Sequence, residues 1–161
     1  MRDEILQLLE KNSRLTTTEL SVMLGFDESD VQAELAQMQA ERVICGYHTL
    51  INWDKTNKEF VTALIEVKVT PTRGLGFDKI AERIYNFEEV KAVYLMSGGF
   101  DLTVIVEGKT IKDVAYFVSN RLSVLESVLS TATHFVLKKY KDHGIILEND
   151  NRIDGRMIIS S

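Results

Sequence analysis

The sequence has 161 residues, a formal net charge of −5, and a composition that is 45% hydrophobic and 27% charged. These values indicate a soluble globular protein with one large or two small domains, and they exclude a protein that coats nucleic acid broadly. A DNA reader with a local positive patch remains compatible with them. No apolar run approaches the roughly 18 residues of a membrane span, so we expect no membrane partner.

The sequence also argues against metal, cofactor and catalytic chemistry. The single cysteine, Cys45, excludes an internal disulfide, and the three histidines lack metal-ligand spacing, so we predict no metal site. No nucleophile elbow, phosphate loop or paired His and Asp is present, which predicts a non-enzyme without a cofactor. The first residues, MRDEILQLLEKN, are partly acidic and lack a signal-peptide cleavage pattern, so we expect a cytoplasmic protein.

The first two predicted elements are helices. Residues 3–12 carry leucine and isoleucine side chains on one side of a helical pattern. Thr17 is expected to cap a second helix, which Gly25 ends because glycine adopts the left-handed backbone of a C-terminal cap. The inward side of this second helix is expected to hold Leu20, Met23 and Leu24.

A third helix is predicted over residues 28–42. Its core stripe has i, i+4, i+7 spacing and consists of Val31, Leu35 and Met38. A short helix, a turn with glycine and a longer helix are typical of a helix-turn-helix reader, and a strand pair over residues 43–51 would add a wing. A three-helix bundle without DNA function shares this pattern, so both interpretations stay open.

The second half of the chain alternates strands and helices. Apolar and polar residues alternate over residues 60–70, which predicts a strand that Pro71 ends. The elements expected next are a helix over 76–85, a strand pair over 90–106, a helix over 111–125 with Thr110 as its N-terminal cap, and a strand over 127–140. The order β-α-β-β-α-β is the ferredoxin-like arrangement, so the expected fold class of the chain is α+β. Two helices cover one sheet face, and apolar residues on both faces predict homodimerisation through the open one.

The turn Ser97–Asp101 inside the strand pair is a candidate ligand site. Gly98 and Gly99 adopt positive φ without steric cost and leave backbone N–H groups uncovered. Asp101 adds a carboxylate beside them, so the turn matches the carboxylate and the amine of a small zwitterion. The alternative is a turn that serves chain reversal only.

Both halves of the chain resemble the leucine-responsive/asparagine-regulator (Lrp/AsnC) family of transcription factors, up to about Gly144. The matching stretches are DEILQLLEKNSRLTTTELSVMLGF and VQAELAQMQAERVICGYHTLIN in the first half, and SGGFDLTV and TATHFVLKKYK in the second. The resemblance implies a winged helix-turn-helix whose third helix enters the major groove. It also implies a C-terminal module for the regulation of amino-acid metabolism.

The resemblance further implies ligands and partners. In this family, small effectors, often amino acids, bind at contacts between dimers, lined by the glycine-rich turn and the start of the last strand. Carried onto this sequence, the effector-binding residues are Ser97, Gly98, Gly99, Asp101, Thr131 and Thr133. The implied partners are double-stranded DNA, a small amino-acid-like effector and further copies of the chain, as a homodimer or an octamer.

The outward side of the third helix provides the candidate DNA contacts. Glutamine pairs with adenine in the major groove, and alanine contacts a thymine methyl group. The candidates are Ser29, Gln32, Ala33, Ala36, Gln37 and Arg42. From Asp27 to Glu41 there are five acidic residues and no Lys or Arg, although phosphate contacts supply most of the affinity of such readers. We therefore expect weak binding per subunit that depends on oligomer avidity, and solvated helix residues without a function remain the alternative.

These observations predict a winged helix-turn-helix DNA-binding domain over residues 1–51, a connector over 52–60 and a βαββαβ effector-binding and oligomerisation domain over 61–144. Residues 145–161 are an extension, expected to form a hairpin around 149–155 or to be a disordered tail. The predicted function is a sequence-specific transcriptional regulator tuned by a small amino-acid-like effector. The alternative is an oligomeric amino-acid sensor with weak or lost DNA binding, while a small ferredoxin-like enzyme is disfavoured.

Overall fold

Three helices form the first unit of the chain, which runs from Met1 to Ile51. The computed structural model describes residues 1–71 and 76–148, and a second unit begins at Asn52. The helices of the first unit are α1 (Arg2–Lys11), α2 (Thr17–Leu24) and α3 (Glu28–Ala40). All three lie where the apolar periodicity predicts them.

The core of the first unit is one cluster of side chains from the three helices. Its buried members are Ile5, Leu9, Leu20, Val31 and Met38, and Leu35 packs against them. The predicted core stripe of α3 is therefore confirmed. Met23 was expected to face inward, but it is 56% exposed, because a helix of eight residues buries only a narrow stripe and Leu20 occupies its centre.

The cap of α2 lies one residue earlier than predicted. Thr16, not Thr17, is the cap: its backbone is extended, and its hydroxyl accepts a hydrogen bond from the Glu19 backbone N–H at 3.2 Å. In return, the Glu19 carboxylate accepts from the Thr16 backbone N–H at 2.7 Å, which completes a capping box. The bonds that the Glu19 carboxylate accepts from the backbone N–H and the hydroxyl of Thr16 lower the pKa of Glu19 below its ordinary 4.5, so their stabilisation is lost as the pH falls through the lowered pKa.

The strand pair expected as a wing is absent, because residues 43–51 contain no strand. Val43 and Tyr47 are 48% and 50% exposed. A two-stranded hairpin is marginal in water unless it packs against another apolar face, and this segment has little such packing. Ile44 packs against the core of the first unit, and residues 45–51 have no regular secondary structure.

The second unit contains a four-stranded antiparallel sheet and two helices. Its elements are β1 (Val61–Val69), α4 (Asp78–Tyr85), β2 (Val90–Leu95), β3 (Leu102–Gly108), α5 (Ile111–Phe117) and β4 (Val128–Phe135). A 3-10 turn (Trp53–Lys55) precedes them, and a π-helical turn (Val118–Leu122) extends α5. This succession is the predicted one, and the strands lie in the order β2-β3-β1-β4. Within the described residues, no helix has the length and apolar composition to cross a membrane.

The last long strand ends earlier than expected, at Phe135 instead of Tyr140. The backbone N–H of Val136 still donates to the Thr62 carbonyl at 2.9 Å, but β1 begins at Val61, so the chain beyond has no strand to pair with. A short hairpin of β5 (Lys141–Asp142) and β6 (Ile145–Ile146) follows. This hairpin crosses the boundary predicted at residue 144, and the hairpin expected around 149–155 lies outside the described residues.

The two faces of the sheet differ in what covers them. Ile65 and Val67 point into the core cluster, which also includes Ile84 of α4 and Phe117 of α5. The opposite face carries Leu64 and Ile105, which pair across β1 and β3, together with Tyr94 of β2, which is 55% exposed. On this open face, His134 Nε2 lies 3.3 Å from a carboxylate oxygen of Glu66.

The capping box gives a prediction that separates the two neighbouring threonines. Thr16→Ala is expected to lower the free energy of unfolding by about 1 kcal/mol, because it removes the hydroxyl that accepts from the N–H of Glu19. Thr17→Ala is the matched control and should change stability by less than about 0.5 kcal/mol, since it lies inside the helix. Thermal and urea unfolding followed by circular dichroism measure both. A larger loss for Thr17→Ala would contradict the assignment.

Candidate functional site

The outward face of α3 is formed by four of the predicted DNA contacts. Successive residues of an α-helix are rotated by about 100°, so positions three, four and seven apart share one side. All four side chains are exposed: Ser29, Gln32, Ala33 and Ala36. The structure therefore brings these four together on a face made of small and neutral polar groups.

The acidic residues of α3 border this face, and the exposed Asp30 directly adjoins it. Glu34 and Glu41 lie roughly a third of a turn away, on the flank next to α1. Glu28 lies on the other flank, where its carboxylate accepts a hydrogen bond from the Thr18 hydroxyl of α2 at 2.7 Å. The concentration of acid that the sequence shows is thus distributed along the edges of the helix.

A single guanidinium bridges the two carboxylates on the α1 flank. Arg2 Nε donates to Glu34 Oε1 at 2.5 Å, and Arg2 Nη1 donates to Glu41 Oε2 at 2.7 Å. The bonds with Glu41 and Glu34 raise the pKa of Arg2 further, and the bond from Arg2 is the main cause of the lowered pKa of Glu41. Arg2 and Glu41 therefore stay charged at neutral pH. Sequence reasoning missed this cluster because its members are 32 and 39 residues apart.

Gln37, the fifth predicted contact, is exposed but already engaged. Its side-chain Nε2 donates to Glu41 Oε1 at 2.7 Å, one helical turn away. This hydrogen bond orients the amide, and the carbonyl oxygen is the group left to accept from outside. One N–H of the amide and its carbonyl oxygen therefore remain for partners outside the chain, in an orientation that the bond to Glu41 sets.

Arg42, the sixth predicted contact, follows the end of α3 in a conformation unusual for arginine. Its φ is +58°, in the left-handed region that glycine usually occupies at this point of a helix end. The side chain is exposed, and the carbonyl oxygen accepts from the Cys45 thiol at 3.1 Å. Arginine at a position that favours glycine is a local strain, and such outliers concentrate at functional sites.

The turn Ser97–Asp101 is closed by its own backbone and tied to β1. Met96 N–H donates to the Asp101 carbonyl at 2.8 Å, and Asp101 N–H donates to the Val67 carbonyl at 3.1 Å. The Asp101 carboxylate accepts from the Val69 N–H at 2.9 Å, next to an irregularity in the pairing of β1 with β4. Asp101 is therefore half-buried and holds the turn, which the sequence did not predict.

The glycines of this turn are open to their surroundings. Gly98 has a φ of +125°, and a Cβ placed on either Gly98 or Gly99 would meet nothing within 4 Å. Ser97 and both glycines are exposed. The backbone at both glycines is therefore accessible to a ligand.

Thr131 and Thr133 of β4 do not join the turn within one chain. Thr131 pairs with Val67 and Thr133 with Ile65, so both belong to the helix-covered side of the sheet. Two strand spacings, about 10 Å, separate β4 from β3. Thr131 Oγ1 lies 3.3 Å from the Ser123 hydroxyl, beside the π-helical turn. The six predicted effector residues thus form two groups at one end of the sheet.

A cleft of about 260 Å³ near the opposite end of the sheet was not predicted. In its wall, Arg121 Nη1 donates to Glu89 Oε1 at 2.5 Å, and the guanidinium lies 4.5 Å from the ring centre of Phe87. Arg121 and Glu89 are therefore paired with each other, Glu107 and Asp113 also line the cleft, and no ligand is assigned to it. No cluster of three or more metal-ligating side chains occurs in the part of the chain that the structure describes.

Both the sequence and the fold of this chain are similar to those of known transcriptional regulators. Residues 62–146 match the family model of the Lrp/AsnC ligand binding domain. Across 98% of this chain and 95% of its own length, the HTH-type transcriptional regulator YugG of Bacillus subtilis is 48% identical.

Solved structures share the fold at lower identity. The transcriptional regulator NMB0573 of Neisseria meningitidis, solved as a complex with L-Met, aligns with a TM-score of 0.69 at 24% identity, over 88% of this chain and 90% of its own. The leucine response regulatory protein LrpA of Mycobacterium tuberculosis aligns with a TM-score of 0.75 at 19% identity, over 91% and 97%. At these identities the likeness shows the α+β fold alone.

The strained backbone of Arg42 gives a stability prediction. Arg42→Gly is expected to raise the free energy of unfolding by about 0.5–1 kcal/mol, because glycine adopts a φ of +58° without the steric cost of a side chain. Arg42→Lys keeps both the strain and the charge, and should leave stability unchanged. Chemical unfolding measures both variants. A destabilised Arg42→Gly would show that the arginine side chain makes a stabilising contact that outweighs the strain.

Proposed function

The chain belongs to the Lrp/AsnC family of transcriptional regulators, and we propose that it binds specific DNA sequences and is tuned by a small amino-acid-like effector. The observation that carries the DNA-binding part is the exposed face of α3 formed by Ser29, Gln32, Ala33 and Ala36. DNA binding is assigned to residues 1–51, and effector binding and oligomerisation to residues 61–144, with 52–60 as the connector. In this role the protein is a cytoplasmic regulator and not an enzyme.

The first unit acts as a helix-turn-helix. Gly25, with a φ of +72°, ends α2 and lets the chain reverse into α3 within a few residues. The diameter of an α-helix with its side chains, about 10–12 Å, matches the roughly 12 Å width of the major groove. Since residues 43–51 form no strand pair, any wing of this unit takes shape only against DNA or another chain.

Different residues of the outward face contact different parts of the DNA. Gln32 reads base edges by hydrogen bonding, while Ala33 and Ala36 allow close approach and contact thymine methyl groups. Ser29 lies near the start of α3, where backbone N–H groups favour a phosphate. Arg42 supplies a phosphate contact at the other end of the helix, and Gln37 presents its carbonyl oxygen as an acceptor.

The second unit acts as the ligand-binding and assembly domain. Its element order and its strand order β2-β3-β1-β4 fit the ferredoxin-like arrangement. Leu64, Ile105 and Tyr94 on the open sheet face favour a homodimer in which two such faces pack together. Octamers built from these dimers are the higher assembly that we propose.

The effector binds at a contact between dimers, where a second chain closes the open turn. The N–H groups of Ser97, Gly98 and Gly99 receive the carboxylate of the effector. The Asp101 oxygen not bonded to Val69 receives the ammonium group. Thr131 and Thr133 belong to the same pocket and come from a neighbouring copy or from rearrangement of β4. The complex of NMB0573 with L-Met supports an amino acid as the ligand class.

The recognition face gives a prediction with a matched control. Gln32→Glu is expected to weaken binding to the DNA upstream of the chain's own coding sequence by at least roughly tenfold, since it replaces a base contact by a charge that repels phosphate. Gln7→Glu makes the same change on the exposed side of α1 and should stay within about twofold of the unmodified protein. Fluorescence anisotropy at low salt measures both. Absence of binding by the unmodified protein would favour a sensor that has lost DNA binding.

The effector turn gives a second prediction. Asp101→Asn keeps an oxygen to accept from Val69 N–H, so the fold should persist, while the attraction for an ammonium group is lost. An amino acid that binds the unmodified protein raises its melting temperature in line with RT ln(1 + [L]/Kd), and Asp101→Asn should abolish that rise. Asp54→Asn, in the same unit, is the control that retains it. A panel of amino acids that leaves the melting temperature unchanged would remove the support for this site.

A further inference from the structure

The acids on the α1 flank of α3 raise an electrostatic problem for a DNA-binding helix. Because the groove is scarcely wider than the helix, the two flanks of an inserted helix face the phosphate strands. Glu34 and Glu41 occupy one flank, and α3 has no Lys or Arg of its own. Two unscreened carboxylates beside phosphate would oppose binding.

Arg2, which belongs to α1, places a positive charge beside these two acids. The side chain lies in the first turn of α1, and its guanidinium donates one hydrogen bond to each acid, at 2.5 Å to Glu34 and 2.7 Å to Glu41. The planar fork of arginine suits two carboxylates at once, whereas lysine offers a single point charge. Glu34 is only 16% exposed, so this carboxylate is held in place by packing as well as by charge.

The second oxygen of Glu41 is satisfied from within α3. Gln37 Nε2 donates to it at 2.7 Å, so both oxygens of Glu41 have donors. The arrangement leaves the Arg2 guanidinium directed at the acids of α3. Arg2 therefore acts on DNA binding through Glu34 and Glu41 and is a positioning and charge-neutralising residue.

We propose that Arg2 is an electrostatic shield for α3, which halves the negative charge of the Glu34 and Glu41 pair so that the helix can enter the major groove. This inference rests on the proposed DNA-binding function and adds to it a residue outside the helix-turn-helix that sets the affinity. The net charge of the three groups is −1 in the unmodified protein and becomes −2 when Arg2 is replaced by a neutral residue.

The decisive experiment measures the binding of four forms of the full chain to the same DNA duplex by fluorescence anisotropy. The four forms are the unmodified protein, the single variant Arg2→Gln, the double variant Glu34→Gln/Glu41→Gln, and the triple variant with all three changes. Arg2→Gln should weaken binding by roughly 3- to 10-fold, and the Glu34→Gln/Glu41→Gln pair should tighten it by a similar factor. The triple variant should bind at least as tightly as the unmodified protein. A triple variant as weak as Arg2→Gln would overturn the inference.

Salt dependence separates a shield from a direct phosphate contact. A lost phosphate contact reduces the slope of log K against log salt by roughly 0.9, whereas loss of the shield leaves the slope nearly unchanged. A slope that falls by this amount in Arg2→Gln would also overturn the inference. Lys11→Gln removes the same charge from the other end of α1 and serves as the control.

Two further readouts keep the outcomes distinct. Circular dichroism melting of each variant identifies loss of folding, and the Glu34→Gln/Glu41→Gln pair retains Arg2, so its tighter binding tests the shield even where Arg2→Gln unfolds. If no variant binds DNA at low salt, both the proposed function and the shield fail. If the unmodified protein binds and Arg2→Gln binds equally well, only the shield fails.

Discussion

A four-stranded sheet has two faces, and the two helices of the second unit cover only one of them. Ile65 and Val67 are buried against α4 and α5, while Leu64 and Ile105 on the same strands point to the other side. Apolar side chains on an uncovered face forgo the favourable free energy of burial. A second copy of the chain with the same face is the simplest partner that would bury them. Dimerisation through this face is the first step of the assembly that we propose. In that proposal the turn Ser97–Asp101, which is open in one chain, becomes a pocket where a second dimer approaches.

The first unit shows why the placement of charge matters more than its amount. Five acids and no base between Asp27 and Glu41 suggest a helix that phosphate repels. The residues that form the outward face are themselves neutral, and Arg2 supplies a positive charge to the acids Glu34 and Glu41 on one flank. A Coulomb interaction falls with distance and is screened within roughly 8–10 Å, so a partly neutralised flank affects a groove contact far less than an acid on the reading face would.

The features that the sequence predicted are those that depend on local pattern. The order of helices and strands, the stripe of Val31, Leu35 and Met38, and the capping residue Thr110 of α5 follow from periodicity and turn chemistry. The cap at Thr16 was also readable, since Thr16-x-x-Glu19 is a capping-box pattern, but a run of three threonines made the choice ambiguous.

The features that the sequence did not predict depend on distant residues. The end of β4 is set by the start of β1, more than 70 residues away. The bond between Asp101 and Val69 and the bridge from Arg2 to Glu34 each join residues 32 positions apart, which no local pattern reveals. Residues 43–51 have a strand-like composition, but a strand needs a partner, and a single chain offers none there.

The proposed effector site and the proposed DNA-binding face belong to different units, and their coupling needs no contact between them. A ligand that binds only where chains meet stabilises the assembled state by RT ln(1 + [L]/Kd) for each occupied site. DNA binding through a single α3 is expected to be weak, and the affinity of an assembly rises steeply with the number of helices that engage together. An effector that shifts assembly therefore changes the occupancy of DNA while leaving the chemistry of each α3 unchanged. The lack of positive charge on α3 is then useful, because a subunit that bound DNA tightly on its own would no longer respond to changes in assembly.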